Sequence, residues 1–445
     1  MKFVIGTPKY SCIKDIEGFG SFLEHGQPEL QKFLKNFLNL EEIRVQCSHL
    51  DVIKGWLNVK SLNSVNEIKE RENEICVVSQ IYVDDELIAY YPYVLVRKYI
   101  KKMNLAKNFF PRIAEAISEQ LTACYLQKFK GGDWLFGDKF AQMLIANCVS
   151  SNLHNGIKFA HLIEKIEQLS VSTFEGEYFS TGVIVSSNFA KYRESNFKFC
   201  EKRSIDTMNK REWFLADGRT SFFLIDINSN IEGIYVNESM DGNNFVDNYF
   251  EKYYLYPNLH DPDFIVRAIG ANEISVSDAY GKEYVKIENV WRFRYKNNFA
   301  EYLEDSLDIK KEICNAIIYY TLKCSRNHIS TIIWIPKKCD KDSIKDYITG
   351  NGISLWETKL NILKRSNEVL IDKILASDGA IVIEKNGDIM YESVFVDVGK
   401  AKVSLNTLVG TGETATAYLA QNGVAIKVSQ DGTIKIYSGN DKFYF

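Results

Sequence analysis

The sequence predicts an α/β protein whose C-terminal third is a mixed β-sheet with flanking helices, preceded by an α+β N-terminal region. Two observations carry this prediction. Helical patterns alternate with short apolar runs after residue 300, and helices alternating with strands favour a mixed sheet with helices packed on it. Asn386-Gly387 between two apolar runs is among the strongest short-range signals of a β-hairpin.

Length and composition are typical of a globular protein with more than one core. The chain has 445 residues, of which 46% are hydrophobic and 25% charged. A chain of this length typically forms about three domains. We predict an N-terminal α+β sensor or partner-binding region over 1–180, a β-rich middle region over 181–299 that is a candidate diverged sheet unit, and an α/β domain over 300–445.

Charge and cysteine usage exclude several function classes. A net charge of −4 with both signs interspersed gives no electrostatic basis for binding nucleic acid or an anionic membrane. Gly6 and Pro8 interrupt the apolar N-terminus, and no run of 18 apolar residues occurs, so we expect neither a signal peptide nor a membrane span. Nine cysteines without paired spacing indicate reduced thiols in a cytoplasmic protein.

The first region combines helices with a hairpin. Apolar residues in "PELQKFLKNFLNL" have helical spacing, and "ICVVSQIYVDDELIAYYPYVLV" is typical of a hairpin turned at Asp84-Asp85. Two more amphipathic helices are predicted over "RIAEAISEQLTACYLQKF" and "DKFAQMLIANCV".

The middle region carries a strand, turn, strand unit that echoes one further along the chain. Residues 216–236 and 377–396 share Asp-Gly, an apolar strand, a turn and a second strand. The echo indicates either a diverged copy of one sheet unit or chance, since Asp-Gly before a strand is common. The aromatic segment "FEKYYLYPNLHDPDF" is either a connecting or partner-facing loop or a cover for a small core.

The third region starts with one long helical pattern over "YLEDSLDIKKEICNAIIYYTLKC" and a buried strand in "HISTIIWIP". A further helix over "LWETKLNILKRSNEVLIDKILAS" leads into the hairpin. A helix over "ETATAYLAQ" then precedes two strands, "GVAIKVS" and "TIKIY", around the turn Asp431-Gly432.

The stretch "LVGTGETATAYLAQNGVAIKV" has a glycine loop followed by Val-Ala-Ile-Lys, as a protein kinase does. Gly410 and Gly412 supply two glycines, but Ala415 occupies the third position. The His-Arg-Asp and Asp-Phe-Gly motifs of kinases occur nowhere in the sequence. We therefore interpret the stretch as a turn that presents a helix N-terminus, which is a candidate phosphate site in any fold.

Two motifs in this region resemble those of the diadenylate cyclase domain of bacterial and archaeal proteins, which joins two ATP molecules into cyclic di-AMP. Asp378-Gly379-Ala380 matches that family's Asp-Gly-Ala, and the Gly410-Thr411 turn follows with 34 positions from Asp378 to Gly412. The resemblance covers residues 300–445. It implies a diadenylate cyclase type of fold, a homodimer, and Mg or Mn if the domain is active.

The resemblance also implies roles for single residues. Asp378 would help to hold metal and prepare the attacking ribose hydroxyl, and Gly379 and Ala380 would contact the nucleotide. Gly412, Glu413 and Thr414 stand where the family grips triphosphate with Arg-His-Arg, and Gln430 stands where it has a glutamate. Each lost charge-assisted contact is worth roughly 1.5–3 kcal/mol.

Alternatives stay open for each of these residues. The Asp378 turn could be a plain helix-to-strand turn. The first turn of the helix, with the hydroxyls of Thr411, Thr414 and Thr416, could take a phosphodiester or monophosphate, or Thr411 could merely cap the helix. Lys427 is the nearest basic candidate, although a strand lysine usually lies on the solvated face.

Two functions follow. The first is a nucleotide-binding protein with turnover lost or weak, a sensor or signalling scaffold for an adenine nucleotide or cyclic dinucleotide, with a protein partner bound through the N-terminal region. The second is an active, atypical diadenylate cyclase or nucleotidyltransferase. The loss of Arg-His-Arg favours the first.

Overall fold

The structure of the protein, a computed structural model, describes residues 19–38, 42–45, 70–71, 74–83, 86–96, 109–126, 136–149, 156–174, 176–178, 180–218, 221–236, 259–270, 273–287, 289–349, 359–400, 410–439 and 441–445. They fall into two compact units. The first takes Met1–Leu169, Ile227–Ser229 and Tyr284–Phe293, and the second takes Ser170–Asp226, Asn230–Glu283 and Arg294–Phe445. The three-domain division stays a prediction.

The first unit contains the predicted helices and hairpin. Its helices are α1 (Phe19–Phe37), α2 (Phe109–Leu126), α3 (Asp138–Val149) and α4 (Gly156–Ser170). Its strands are β1 (Glu42–Val45), β2 (Glu70–Arg71), β3 (Glu74–Val83) and β4 (Glu86–Val96), in the order β1-β4-β3-β2. Leu30, Leu34 and Phe37 of α1 are buried, as their helical spacing predicts.

A second set of strands forms the middle sheet. It comprises β7 (Thr181–Val185), β8 (Asn196–Ser204), β9 (Ser221–Ile225), β10 (Asn230–Val236), β11 (Phe264–Gly270), β12 (Glu273–Asp278), β13 (Lys282–Ile287) and β14 (Val290–Tyr295). Its order is β14-β13-β12-β11-β7-β9-β10-β8. Two short strands, β5 (Thr173–Phe174) and β6 (Glu177–Tyr178), and the helix α5 (Lys210–Trp213) accompany it.

The C-terminal sheet carries the candidate site. Its strands are β15 (Thr331–Pro336), β16 (Ala380–Ile383), β17 (Ile389–Val394), β18 (Gly423–Val428), β19 (Ile434–Ser438) and β20 (Asp441–Tyr444). Its helices are α6 (Lys296–Leu307), α7 (Lys311–Arg326), α8 (Lys341–Lys345), α9 (Glu368–Leu375) and α10 (Thr411–Leu419). All the predicted strands of this region are present, and β20 adds an edge strand.

This sheet is mixed, which confirms the predicted α/β class. Its order is β17-β16-β15-β18-β19-β20, with β15 and β16 parallel and the other pairs antiparallel. Helix α10 packs on one face, where Ala415, Ala417 and Leu419 share a buried cluster with Ile332 and Trp334. The small side chains of α10 let its backbone lie close to the sheet.

Two predicted helices are wrong in extent. The long pattern after residue 300 is two helices, because Asp308 adopts the left-handed conformation at φ 52° and ends α6. The helix predicted from "LWETKL" onward is regular only over α9, and its residues 355–358 lie outside the described part. Asn361 instead ties the preceding segment to the hairpin, its Nδ2 donating to Asp388 Oδ1 at 2.7 Å.

The echo between residues 216–236 and 377–396 corresponds to equivalent places in two sheets. β7 and β9 are parallel neighbours, as β15 and β16 are. β10 pairs antiparallel with β9, as β17 does with β16. β11 lies antiparallel between β7 and β12, as β18 lies between β15 and β19. Gly218 and Gly379, each following an aspartate, are both left-handed, at φ +67° and +102°. Of the aromatic segment in the middle region, residues 250–258 lie outside the described part.

Among the described residues, no helix combines the length and the apolar character that crossing a lipid bilayer demands. Cys148, Cys314, Cys324 and Cys339 form no disulfide.

Candidate functional site

One row of paired residues across the C-terminal sheet leads to the site. Ile332 of β15 pairs with Ala380 of β16 on one side and with Lys427 of β18 on the other, and Lys427 in turn pairs with Lys435 of β19. Directly paired residues share a face of the sheet. Ile332 and Ala380 pack with α10, so both lysines lie on the helix-bearing face.

The Asp378-Gly379 turn brings the chain into β16. A Cβ on Gly379 would lie 2.8 Å from the backbone carbon of Ser393 and 2.9 Å from the carbonyl oxygen of Val394, so only glycine fits there. Asp378 accepts a hydrogen bond from the Gly379 amide through Oδ1 at 2.9 Å. The turn therefore has a local structural role, and it leaves Asp378 exposed at the start of the strand.

Helix α10 begins without a side-chain cap. Gly410 is the N-cap, and its carbonyl oxygen accepts from the amides of Glu413 at 3.0 Å and Thr414 at 3.2 Å. Thr411 is the first helical residue and not the cap, so the alternative in which it merely caps the helix does not hold. The first N–H groups of a helix have no acceptor within it, so the amides of Thr411 and Gly412, which precede these two bonded amides, are the candidate donors for a ligand.

Lys427 interacts with both parts of the predicted site, the start of α10 and Asp378. A Cβ on Gly412 would lie 3.3 Å from both Cε and Nζ of Lys427, and Nζ donates to Ser330 Oγ at 2.9 Å. Burial lowers the pKa of Lys427, while the carboxylates of Asp378 and Asp431 act in the opposite direction through their charge. The lysine is half-buried against the helix start rather than on an open strand face.

Lys427 therefore contacts the turn over residues 410–414 and interacts through its charge with Asp378, whereas a shared cleft of the two segments stays a prediction. Lys427 makes no ion pair within 4 Å with another described residue, although it interacts with Asp378 over a longer distance. A partly desolvated ammonium of this kind is suited to hold a phosphate oxygen.

Glu413 lies in a different environment from the one its sequence position suggests. Its carboxylate forms an ion pair with Lys435, and Lys442 Nζ lies 3.5 Å from its other oxygen. Lys435 Nζ also lies 5.6 Å from the Tyr444 ring centroid, and Lys442 Nζ lies 5.4 Å from the same centroid. Two lysines thus neutralise an anion that the sequence left unbalanced.

The threonine hydroxyls of α10 contribute less than predicted. Thr416 is buried and donates to the Gly412 carbonyl at 2.7 Å, and Thr414 donates to the Gly410 carbonyl at 3.4 Å. Side chains that bond to backbone carbonyls one turn earlier have their donor engaged. Gln430 lies exposed between β18 and β19, beside Asp431.

Asp378 is the carboxylate for which the sequence predicts a metal role. No group of three or more His, Cys, Asp or Glu side chains that could hold a metal occurs in the described part of the chain. Mg²⁺ and Mn²⁺ take carboxylate and other oxygen ligands, whereas the group that acts on Asp378 here is the ammonium of Lys427. The predicted metal role of Asp378 stays a prediction without a second protein ligand.

No protein-family model matches the chain, and no curated protein matches it. Among solved structures, the chain is similar to a double mutant of DacA from Staphylococcus aureus, at 14% identity and a TM-score of 0.23 over 30% of this chain and 86% of that one. It is also similar to a hypothetical membrane spanning protein from Bacillus cereus, at 14% identity and a TM-score of 0.24 over 34% of this chain and 74% of that one.

Proposed function

We propose that this is a nucleotide-binding protein built on a diadenylate cyclase-like domain, with turnover lost or weak, that acts as a nucleotide sensor or signalling scaffold. The observation that carries the proposal is the place of Lys427, against Gly412 and within electrostatic reach of Asp378. An ammonium of the kind that binds phosphate thus lies near one of the two motifs that suggested the family and interacts with the other, which supports the proposal.

The charge of the site supports binding over condensation of ATP. Its lysines are Lys427, Lys435 and Lys442, and its acids are Asp378, Glu413 and Asp431, so the formal charges sum to zero. Holding a triphosphate in line while pyrophosphate leaves is mainly an electrostatic task that needs an excess of cations. A site of no net charge suits a ligand with fewer phosphate charges than ATP.

The ligand we propose is an adenine nucleotide with one phosphate, or a cyclic dinucleotide. A phosphate between the first turn of α10 and Lys427 would accept hydrogen bonds from backbone N–H groups and from the ammonium of Lys427. Its negative charge would also complement the positive end of the helix dipole.

Calorimetric titration of AMP and of cyclic di-AMP into the full chain tests the proposal. Replacing Lys427 by Met keeps the length of the stem and removes the charge, and we expect affinity to fall by about tenfold or more. Lys359→Met is the matched control, because Lys359 pairs with Glu384 beyond the other end of β16. Binding that is absent in the unaltered protein, or unchanged in Lys427→Met, would reject the proposal.

A further inference from the structure

The first turn of α10 already contains a negatively charged side chain, the carboxylate of Glu413. Glu413 is only 14% exposed in its side chain, and its partner Lys435 is 20% exposed. Lys442 reaches the second carboxylate oxygen and also lies over Tyr437, 5.6 Å from the ring centroid. An ion pair shielded in this way is stronger than one on an open surface.

This anion lies next to the proposed phosphate site. Glu413 follows Gly412, the residue against which Lys427 packs, and Lys435 is the direct cross-strand neighbour of Lys427. The cations therefore continue along the helix-bearing face from Lys427 to Lys435 and on to Lys442. A ligand that extended along this face from Lys427 would meet the carboxylate of Glu413 next.

We propose that Glu413 is a specificity-determining residue, a built-in carboxylate that occupies Lys435 and Lys442 and so restricts the site to ligands that place a single phosphate group beside Lys427. This inference rests on the proposed function of the same site. A second and third phosphate would have to displace a shielded carboxylate from two lysines, whereas a single phosphate needs only Lys427 and the helix start. Neutralising Glu413 would change the formal charge of the site from zero to +1 and release both lysines.

Titrations of AMP, ADP and ATP without metal into the unaltered protein and Glu413→Gln test the inference. Glutamine keeps the shape of the side chain and removes its charge. We expect ATP affinity to rise about tenfold while AMP affinity changes less than twofold, since two charge-assisted contacts become available to the longer ligand alone. The gain should disappear in Glu413→Gln combined with Lys435→Met and Lys442→Met.

Two further variants keep the result interpretable. Glu384→Gln removes a carboxylate paired to Lys359, away from the site, and should change no affinity. Glu413→Ala, with the residue of highest helix propensity, supplies the same test if the glutamine variant does not fold.

The outcomes distinguish this inference from the proposed function on which it rests. If Glu413→Gln shifts AMP and ATP equally, or shifts neither, Glu413 does not set specificity, while AMP binding that depends on Lys427 would still uphold the proposed function. If no variant binds any of the three nucleotides, both proposals are overturned.

Discussion

The ammonium of Lys427 lies against the start of α10, so that a Cβ added at Gly412 would be 3.3 Å from its Nζ. This relationship between a strand lysine and a helix glycine defines the site. A side chain at position 412 would compete with the lysine for the same volume.

Gly412→Ala should therefore weaken AMP binding by about twofold to fivefold, because Lys427 must shift by a few tenths of an ångström. The same change should leave the protein equally stable or slightly more so, as alanine favours helix over glycine by up to about 1 kcal/mol. Calorimetry and thermal denaturation measure the two effects. Gly410→Ala is the control, since a Cβ there meets nothing within 4 Å, and an equal loss in both variants would contradict the account.

Asp378→Asn separates binding from catalysis. Because Asp378 interacts with Lys427, its neutralisation removes an anion that competes with phosphate, and we expect AMP affinity to stay level or rise by about threefold. Asp217→Ala at the equivalent turn of the middle sheet should instead cost about 1 kcal/mol of stability, because it removes the Oδ1 that accepts from the Ser221 amide at 2.9 Å. A tenfold loss of AMP affinity in Asp378→Asn would show that the carboxylate binds the ligand directly.

Gly379→Ala should destabilise the protein by about 1–3 kcal/mol, since the left-handed backbone and the 2.8 Å approach to Ser393 both oppose a Cβ. Urea denaturation of the variant measures the cost. Gly399→Ala, where the nearest neighbour is Asp397 Oδ1 at 3.4 Å, should be close to neutral. Equal stability of the two variants would show that the Asp-Gly turn is not constrained as described.

Local sequence pattern predicts much of this fold, but it does not predict the positions of Lys427 and Lys442. The hairpin at Asn386-Gly387 and the apolar strands are set by residues close in sequence. Strand β20 is the edge strand beside β19, so Lys442 comes near Glu413 only once the sheet has formed. Lys427 has the spacing of a solvated strand residue, and its burial depends on a helix that starts sixteen positions earlier, at Thr411.

The break at Asp308 is a second feature that the local sequence pattern did not predict. Apolar spacing continues through it, so the pattern predicts one helix, whereas a left-handed residue divides the segment into α6 and α7. A single backbone conformation outweighed the periodicity.

The second unit also contains an acid-sensitive ionic cluster around the buried Glu283. Burial raises its pKa, but the guanidinium groups of Arg326, Arg267 and Arg294 outweigh that effect and lower the pKa to about 2. A lowered pKa stabilises the folded protein above the ordinary value of 4.5, and this stabilisation is lost as pH falls from about 4.5 towards 2.

Glu283→Gln should consequently lower the free energy of unfolding at pH 7 by about 3–5 kcal/mol, because it leaves buried guanidinium groups without their carboxylate. Its stability should also change less than that of the unaltered protein between pH 4.5 and 2. Urea denaturation at a series of pH values measures both effects, with Glu384→Gln as the control. Parallel pH profiles for Glu283→Gln and the unaltered protein would contradict this role.

The measurement that tests the central claim most directly is chromatography of the products formed from ATP with Mn²⁺ or Mg²⁺, at protein concentrations close to those of the nucleotide. Condensation needs an excess of cations that this site lacks, so we expect little or no cyclic di-AMP from a preparation that binds AMP in the same buffer. Robust formation of a cyclic dinucleotide by the unaltered protein, lost in Asp378→Asn, would contradict the binding-protein account and establish an active cyclase.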